Sequence, residues 1–251
     1  MTAAKIVTLD IERIAGLAEV WDFKPDFIRP EAFREAPRTV CLAWKWLDKP
    51  DIEFSAEWLD GQEGMARKIH AILDEADYVV GWNSRRFDVK HLRTVLLEHG
   101  LTPPSPHVDI DLMVNVKREF DFLYNRMAYI ADVLGLEGKD KTPPGLWSDL
   151  RSTDTGTVAR AHAAMERYNR RDVELTEELF YLLRPWLRGM NLGLFEEDSD
   201  TIRCSNCGSD HVQYRGHAGN TTYRYRRFQC KACGKWGRDR NSFKSTATVG
   251  I

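Results

Sequence analysis

Four cysteines near the end of the chain divide it before anything else is read. Cys204-Ser-Asn-Cys207-Gly208 and Cys230-Lys-Ala-Cys233-Gly234 are two Cys-x2-Cys knuckles with 22 residues between them. Each knuckle offers two thiolates from one tight turn, and four soft ligands suit a tetrahedral Zn²⁺. A module of about 40 residues has too small a core to stand alone, so one structural Zn²⁺ would supply its folding energy. A pair of disulfides is the alternative, disfavoured in a reducing compartment. His211 and His217 fall between the knuckles and read as bystanders to a complete four-thiolate shell. Cys41 stands apart in the apolar run Thr39-Val-Cys-Leu-Ala-Trp44 and reads as a small buried hydrophobe, since no base is placed near it.

Charge follows the same division. From Thr201 to Ile251 ten Lys and Arg stand against Asp210 and Asp239, a balance of +8. The whole chain carries −2, which leaves −10 for the rest. An acidic body with a basic tail suits a protein whose tail meets phosphates, although a merely solvated tail has the same composition. No apolar run approaches the roughly 20 residues that span a bilayer, and Met1 to Lys5 lead directly into a strand-like run rather than a signal peptide. No membrane association is expected. The expected location is cytoplasmic, in a bacterium or as a phage protein in its host.

Before the cysteines the pattern is α/β. In Lys5 to Glu12, Val7, Leu9 and Ile11 point one way and Ile6, Thr8, Asp10 and Glu12 the other. Thr39–Leu47 and Asp51–Trp58 read as two further strands, joined by a turn at Asp48-Lys49-Pro50. Helical spacing covers Gly64–Glu75, and Tyr78–Trp82 is a short buried strand. A helix from about Phe87 to His99 stops at Gly100, Val108–Leu112 is a fifth strand, and helical material runs on to Leu134. Glu137–Gly156 reads as an irregular connection, and Val158–Leu187 as a long closing helix. Strands first, then strand and helix in alternation, predict a mixed five-stranded sheet flanked by helices.

Three segments of this body carry acids in places that suit chemistry. Asp10 and Glu12 lie two apart on a strand and project from one face, where two like charges need a cation between them or exposure to water. Gly81-Trp82-Asn83-Ser84-Arg85-Arg86-Phe87-Asp88 breaks a buried strand into a helix and places Asp88 at the sheet edge, where ligands gather in α/β folds. Tyr168 and Asp172 lie one turn apart on the closing helix. Taken singly, each has a plainer reading: surface charge, a first-turn acid favoured by the helix dipole, and a side-chain pair on a solvated face. Asp109 and Asp111 also lie two apart, and read as a strand end and a helix cap.

Together, Asp10-Ile11-Glu12, Asn83 through Asp88, and Tyr168 with Asp172 resemble the three motifs of the DEDD exonucleases, over about residues 4 to 190. That family has a ribonuclease H-like fold and includes the proofreading domains of family B DNA polymerases. Tyr168 marks the tyrosine subtype, since Arg167 occupies the place where the histidine subtype carries its His. Arg13 departs from the family pattern, in which a small residue often follows the Glu of the first motif. The resemblance implies a two-metal hydrolysis of phosphodiester bonds, with Mg²⁺ or Mn²⁺ held by Asp10, Glu12, Asp88 and Asp172, and attack from a 3′ end, 3′→5′. In that scheme Asp10 bridges the ions, Glu12 and Asp172 hold one and Asp88 helps to hold the other. A free phenol ionises near pH ~10, so Tyr168 would orient the attacking water rather than act as a base. Asn83 and Phe87 would shape the nucleotide site, or serve only the turn and core.

Between the knuckles, Thr221-Thr-Tyr-Arg-Tyr-Arg-Arg-Phe-Gln229 alternates basic and aromatic residues, and with Trp236 it looks like the zinc ribbons of transposases and transcription-related proteins. Arg224, Arg226 and Arg227 would contact phosphates while Tyr223, Tyr225 and Trp236 stack on bases; a self-contained hairpin or a protein-docking surface fits the same pattern. The expected organisation is therefore an exonuclease domain over 1–190, a linker over 191–201, a zinc ribbon over 202–240 and a flexible tail over 241–251. The expected partner is nucleic acid with a single-stranded 3′ end, and a replication or repair protein is the other expected partner. A non-catalytic nucleic-acid-binding protein and a structure-specific endonuclease on the same fold are the competing readings.

Overall fold

A computed structural model describes residues 3–138, 143–195 and 201–248. Residues 139–142 of the irregular connection, 196–200 of the expected linker and 249–251 of the expected tail lie outside the described residues. The body is built on β1 (Ile6–Ile14), followed by the short pair β2 (Leu17–Ala18) and β3 (Phe33–Glu35). Next come β4 (Arg38–Trp46), β5 (Glu53–Ala56), α1 (Glu57–Glu75), β6 (Tyr78–Gly81), α2 (Asp88–Glu98) and β7 (Val108–Asp111). Then follow α3 (Leu112–Glu119), α4 (Met127–Val133), the short α5 (Leu146–Asp149) inside the connection read as irregular, and α6 (Thr155–Leu183). The five main strands form one mixed sheet in the order β5-β4-β1-β6-β7. β1 pairs antiparallel with β4 and parallel with β6, so it sits at the centre.

The alternation of β1 decides what each face of the sheet buries. Val7, Leu9 and Ile11 pack with Met65, Ile69 and Leu73 of α1 and Leu92 and Leu96 of α2. Ile6 faces the other way, into a core with Ile110, Ile130, Leu175, Leu179 and Phe180. Further along the same face Ile14 and Cys41 meet Leu146, Ala161 and Met165 of α5 and α6. Burying a Leu or Ile side chain is worth about 1.5–3 kcal/mol, so the two apolar faces fix this register and carry Asp10 and Glu12 to the α6 side. Cys41 is fully buried there as a small apolar residue, its thiol pushed well up by burial and then by the charges of Glu12 and Asp10.

One strand ends earlier than its sequence suggests. Trp58 falls in α1 rather than in β5, because Arg38 of β4 binds both carboxylate oxygens of Glu57 at 2.8 Å and fixes the first helical turn there. Gly61 (φ 70) then kinks the helix before its apolar face begins. No helix among the described residues is long and apolar enough to cross a membrane.

The C-terminal residues form a separate antiparallel sheet of β8 (Val212–Gly219), β9 (Tyr223–Cys230), β10 (Trp236–Arg238) and β11 (Lys244–Ser245), all three partners pairing with β9. Thus the stretch read as a flexible tail contributes a short strand. Lys244 and Ser245 pair with Arg224 and Tyr223, and Thr246 N–H donates to the Thr222 carbonyl at 3.1 Å.

Candidate active site

The site grows from one point on β1. The parallel ladder with β6 runs only from Ile6 to Thr8, so beyond Thr8 that edge of the strand lacks a strand partner, while β4 stays paired along the other edge as far as Ile14. Two side chains serve the peptide unit joining Asp10 to Ile11. Asp88 accepts from the Ile11 N–H at 3.2 Å, and Asn169 donates from Nδ2 to the Asp10 carbonyl at 3.2 Å. Asn169 also donates to Asp10 Oδ2 at 2.8 Å. Asp88 and Asn169 are both buried.

Asp10 and Glu12 leave β1 toward α6, and α6 meets them with the buried carboxylate of Asp172. Ligand oxygens of these three acids lie within 4.8 Å of one another. Tyr168, one turn before Asp172, is partly buried against the core cluster that holds Ile14, Cys41, Leu146, Ala161 and Met165. Asp88 is not one of these three mutually close acids. It is the first residue of α2, where the helix dipole favours an acid, and its carboxylate is turned onto the backbone between Asp10 and Glu12.

The turn that delivers Asp88 is held from below by Asp111. That buried carboxylate accepts from the N–H groups of Asn83 (3.1 Å), Arg85 (3.2 Å) and Val114 (3.1 Å), so one side chain caps α3 and clamps the Asn83–Phe87 turn. Asn83 takes φ 63, a left-handed conformation that asparagine tolerates better than most residues. Gly81 is required just before it, because a Cβ there would stand 2.6 Å from the Ser84 Cβ. Phe87 remains 41 % exposed, its ring edge-on to His91 at 4.7 Å. Arg13 leaves β1 on the face away from the acids. Its Nη1 lies 3.1 Å from His91 Nε2 and its Nη2 donates to the Pro37 carbonyl. Burial, then the Arg13 charge, lowers the His91 pKa, which suits a neutral ring accepting that bond.

A family model of the RNase H superfamily matches residues 36–184. The chain belongs to the RNase H superfamily. Asp88, Tyr168 and Asp172 fall inside the matched stretch, while Asp10 and Glu12 precede it on the strand that joins the sheet through β4 and β6. Solved structures similar to this RNase H superfamily chain include RNase D of Trypanosoma brucei, at 14% identity and TM-score 0.45, covering 74% of this chain and 58% of that one. The same enzyme in complex with RNA U12 matches at 16% identity and TM-score 0.43, covering 79% and 58%. Its GMP complex matches at 15% and 0.41, covering 79% and 53%. The chain thus spans a little over half the length of these structures. No curated protein matches it.

Beyond the stretch matched to the RNase H superfamily, the four knuckle cysteines converge, with their sulfurs within 4.8 Å of one another. Cys204 and Cys233 sulfurs lie 3.6 Å apart, as do those of Cys207 and Cys230, far beyond the ~2.05 Å of a disulfide. Gly208 and Gly234 follow the knuckles with φ 74 and 78, and their N–H groups donate back to the Cys204 and Cys230 carbonyls. This left-handed step is what a glycine after each pair supplies. Burial pushes the Cys204 thiol up to about 11. For Cys233, burial is outweighed by the Lys235 backbone N–H, the Asn206 amide and the neighbouring thiols, which bring it down to about 7.

The aromatic and basic residues of β9 are partly engaged with one another. Arg238 lies over Tyr225 at 3.8 Å and Arg227 over Trp236 at 4.7 Å, while Arg226 covers Tyr214 and pairs with Asp239 at 2.7 Å. Tyr223 and Arg224 are exposed and are the two β9 residues that pair with β11. The module rests against the end of α6. Arg184 donates to the Asn206 carbonyl at 3.2 and 3.0 Å, and the Leu192 N–H donates to the Ser205 carbonyl at 2.7 Å.

Proposed function

We propose that the chain is a metal-dependent 3′→5′ exonuclease acting on DNA or RNA, with a C-terminal zinc ribbon that aids its hold on substrate or on a partner protein. The observation that carries this reading is the convergence of Asp10, Glu12 and Asp172 from two elements onto one space. Three carboxylates so close repel unless a cation joins them, and an all-oxygen donor set fits Mg²⁺ or Mn²⁺ rather than zinc. Asp10, Glu12 and Asp172 would hold the ions, with Asp88 helping to hold a second. The chemistry such cations would supply, if bound there, is neutralisation of charge on the attacking and leaving oxygens of an in-line phosphoryl displacement.

The remaining work belongs to the chain itself. The strand register presents Asp10 and Glu12 in parallel, and α6 closes the third side with Asp172. Tyr168 would orient the attacking water toward the phosphorus, a positioning role that needs no ionised phenol. Phe87, exposed beside Asp88, would stack on the terminal base, and Asn83 would shape the pocket beneath it. In the tail Cys204, Cys207, Cys230 and Cys233 would hold one Zn²⁺. Arg224, Arg226 and Arg227, with Tyr223, Tyr225 and Trp236, would then meet nucleic acid.

The test compares 5′-labelled linear single strands with circular ones, in DNA and in RNA, with Mg²⁺ or Mn²⁺. The reading expects a ladder shortening from the 3′ end of linear strands and intact circles. Nicked circles would replace it with an endonuclease, and binding without cleavage in either metal would replace it with a non-catalytic binding protein.

A further inference from the structure

Asn169 is fully buried, in the middle of α6, between Tyr168 and Asp172. Asparagine is a poor helix-interior residue because its amide competes with the backbone, and an apolar side chain would suit this position better on packing grounds alone. Its Nδ2 has two acceptors, Asp10 Oδ2 at 2.8 Å and the Asp10 carbonyl at 3.2 Å. Two acceptors on one side fix which end of the amide faces Asp10. Its Oδ1 is buried without a hydrogen-bond partner among the described residues, so the amide is kept at a cost that only its donor end can offset.

We propose that Asn169 is a positioning residue for the divalent-metal site, holding the Asp10 carboxylate and the peptide behind it in the bearing that lets Asp10 ligate. This inference rests on the metal-dependent reading of the three-acid cluster. The chemistry favours an amide in this role. A neutral donor orients a carboxylate while leaving its charge for a cation, whereas Lys or Arg at the same place would compete with the metal for Asp10. The peptide is held at both ends, since Asp88 takes the Ile11 N–H while Asn169 takes the Asp10 carbonyl of the same unit. That peptide lies between Asp10 and Glu12, so turning it would swing both acids. Asn169 thereby ties α6, which carries Asp172, directly to the strand that carries the other two ligands.

The test is Mn²⁺ binding by calorimetry on the zinc-loaded full chain, read alongside the thermal midpoint without added Mn²⁺. Wild type is expected to bind, and Asp10→Asn to lose that binding. If wild type binds no Mn²⁺, or Asp10→Asn binds as wild type does, the metal reading of the cluster is overturned and this inference with it. Given that control, Asn169→Leu, of similar volume, is expected to raise the Mn²⁺ dissociation constant by about 10- to 100-fold, the usual effect of losing a partner that orients a ligand. Added Mn²⁺ should then restore turnover with an unchanged substrate KM. If Asn169→Leu melts below the assay temperature, Asn169→Ser removes the amide without adding bulk and is read in the same way. A folded Asn169 variant that binds Mn²⁺ within twofold of wild type overturns the positioning role and leaves the metal site standing.

Discussion

Replacing Asp111 by alanine should damage the α/β body out of proportion to the size of the change. The carboxylate accepts three backbone N–H groups, from Asn83, Arg85 and Val114, while itself only 2 % exposed. Loss of the Val114 cap costs about 1 kcal/mol. Each of the other two bonds to a carboxylate is worth about 1.5–3 kcal/mol, less whatever water recovers in a partly buried turn. A net loss of about 3–5 kcal/mol follows, a large share of the ~5–15 kcal/mol that holds a domain together. Asp111→Asn keeps one acceptor oxygen and should lose roughly half as much. Urea unfolding followed by circular dichroism gives the total, and hydrogen exchange at the Asn83, Arg85 and Val114 amides localises it. The same turn aims Phe87 and Asp88, so exchange there should accelerate even in urea-free buffer. A loss under about 1 kcal/mol with unchanged protection at those three amides would refute the clamp.

Four further outcomes are expected. Asp10→Ala should lower hydrolysis by more than about 10²-fold, measured as nucleotide release with saturating Mn²⁺; wild-type turnover would remove the carboxylate assignment. Tyr168→Phe should slow the reaction while leaving the Mn²⁺ dissociation constant unchanged, a split that calorimetry and kinetics together read. Stripping zinc should unfold the ribbon and expose residues 202–248 to protease while the main sheet persists, since bound metal supplies about 10–16 kcal/mol to such modules. Replacing Arg224, Arg226 and Arg227 with alanine should flatten the salt dependence of single-strand binding by at most about 2 units of log–log slope. The slope change should be smaller if Arg226 stays on Asp239, and an unchanged slope would favour protein docking.

The parts of the fold that could be read from sequence were those encoded locally. The alternation of Val7, Leu9 and Ile11 against Asp10 and Glu12 announced both the first strand and the face that bears the acids, because a period of two is a property of the strand alone; its central place in the sheet was not announced. The strand-to-helix break before Asp88, the i,i+4 relation of Tyr168 to Asp172 and the spacing of the four cysteines were legible for the same reason. Long-range pairing stayed hidden. Nothing near Trp58 in the sequence reports that Arg38 pins Glu57 and starts α1 early. The tail's last strand exists only because β9 leaves an edge for Lys244 and Ser245. Asp111 was recognisable as a helix cap, yet its hold on a turn 28 residues earlier was not. Asn169 left only a faint sign, a polar amide in a helix interior, and Asp88 showed no sign that its carboxylate turns onto the Ile11 N–H.

Anomalous scattering at the manganese edge, from crystals of the full chain grown with Mn²⁺, puts the central claim to its most direct measurement. A peak about 2 Å from carboxylate oxygens of Asp10, Glu12 and Asp172, with a second near Asp10 and Asp88, is the predicted result. Manganese bound only elsewhere, with those three acids turned to other partners, would contradict it.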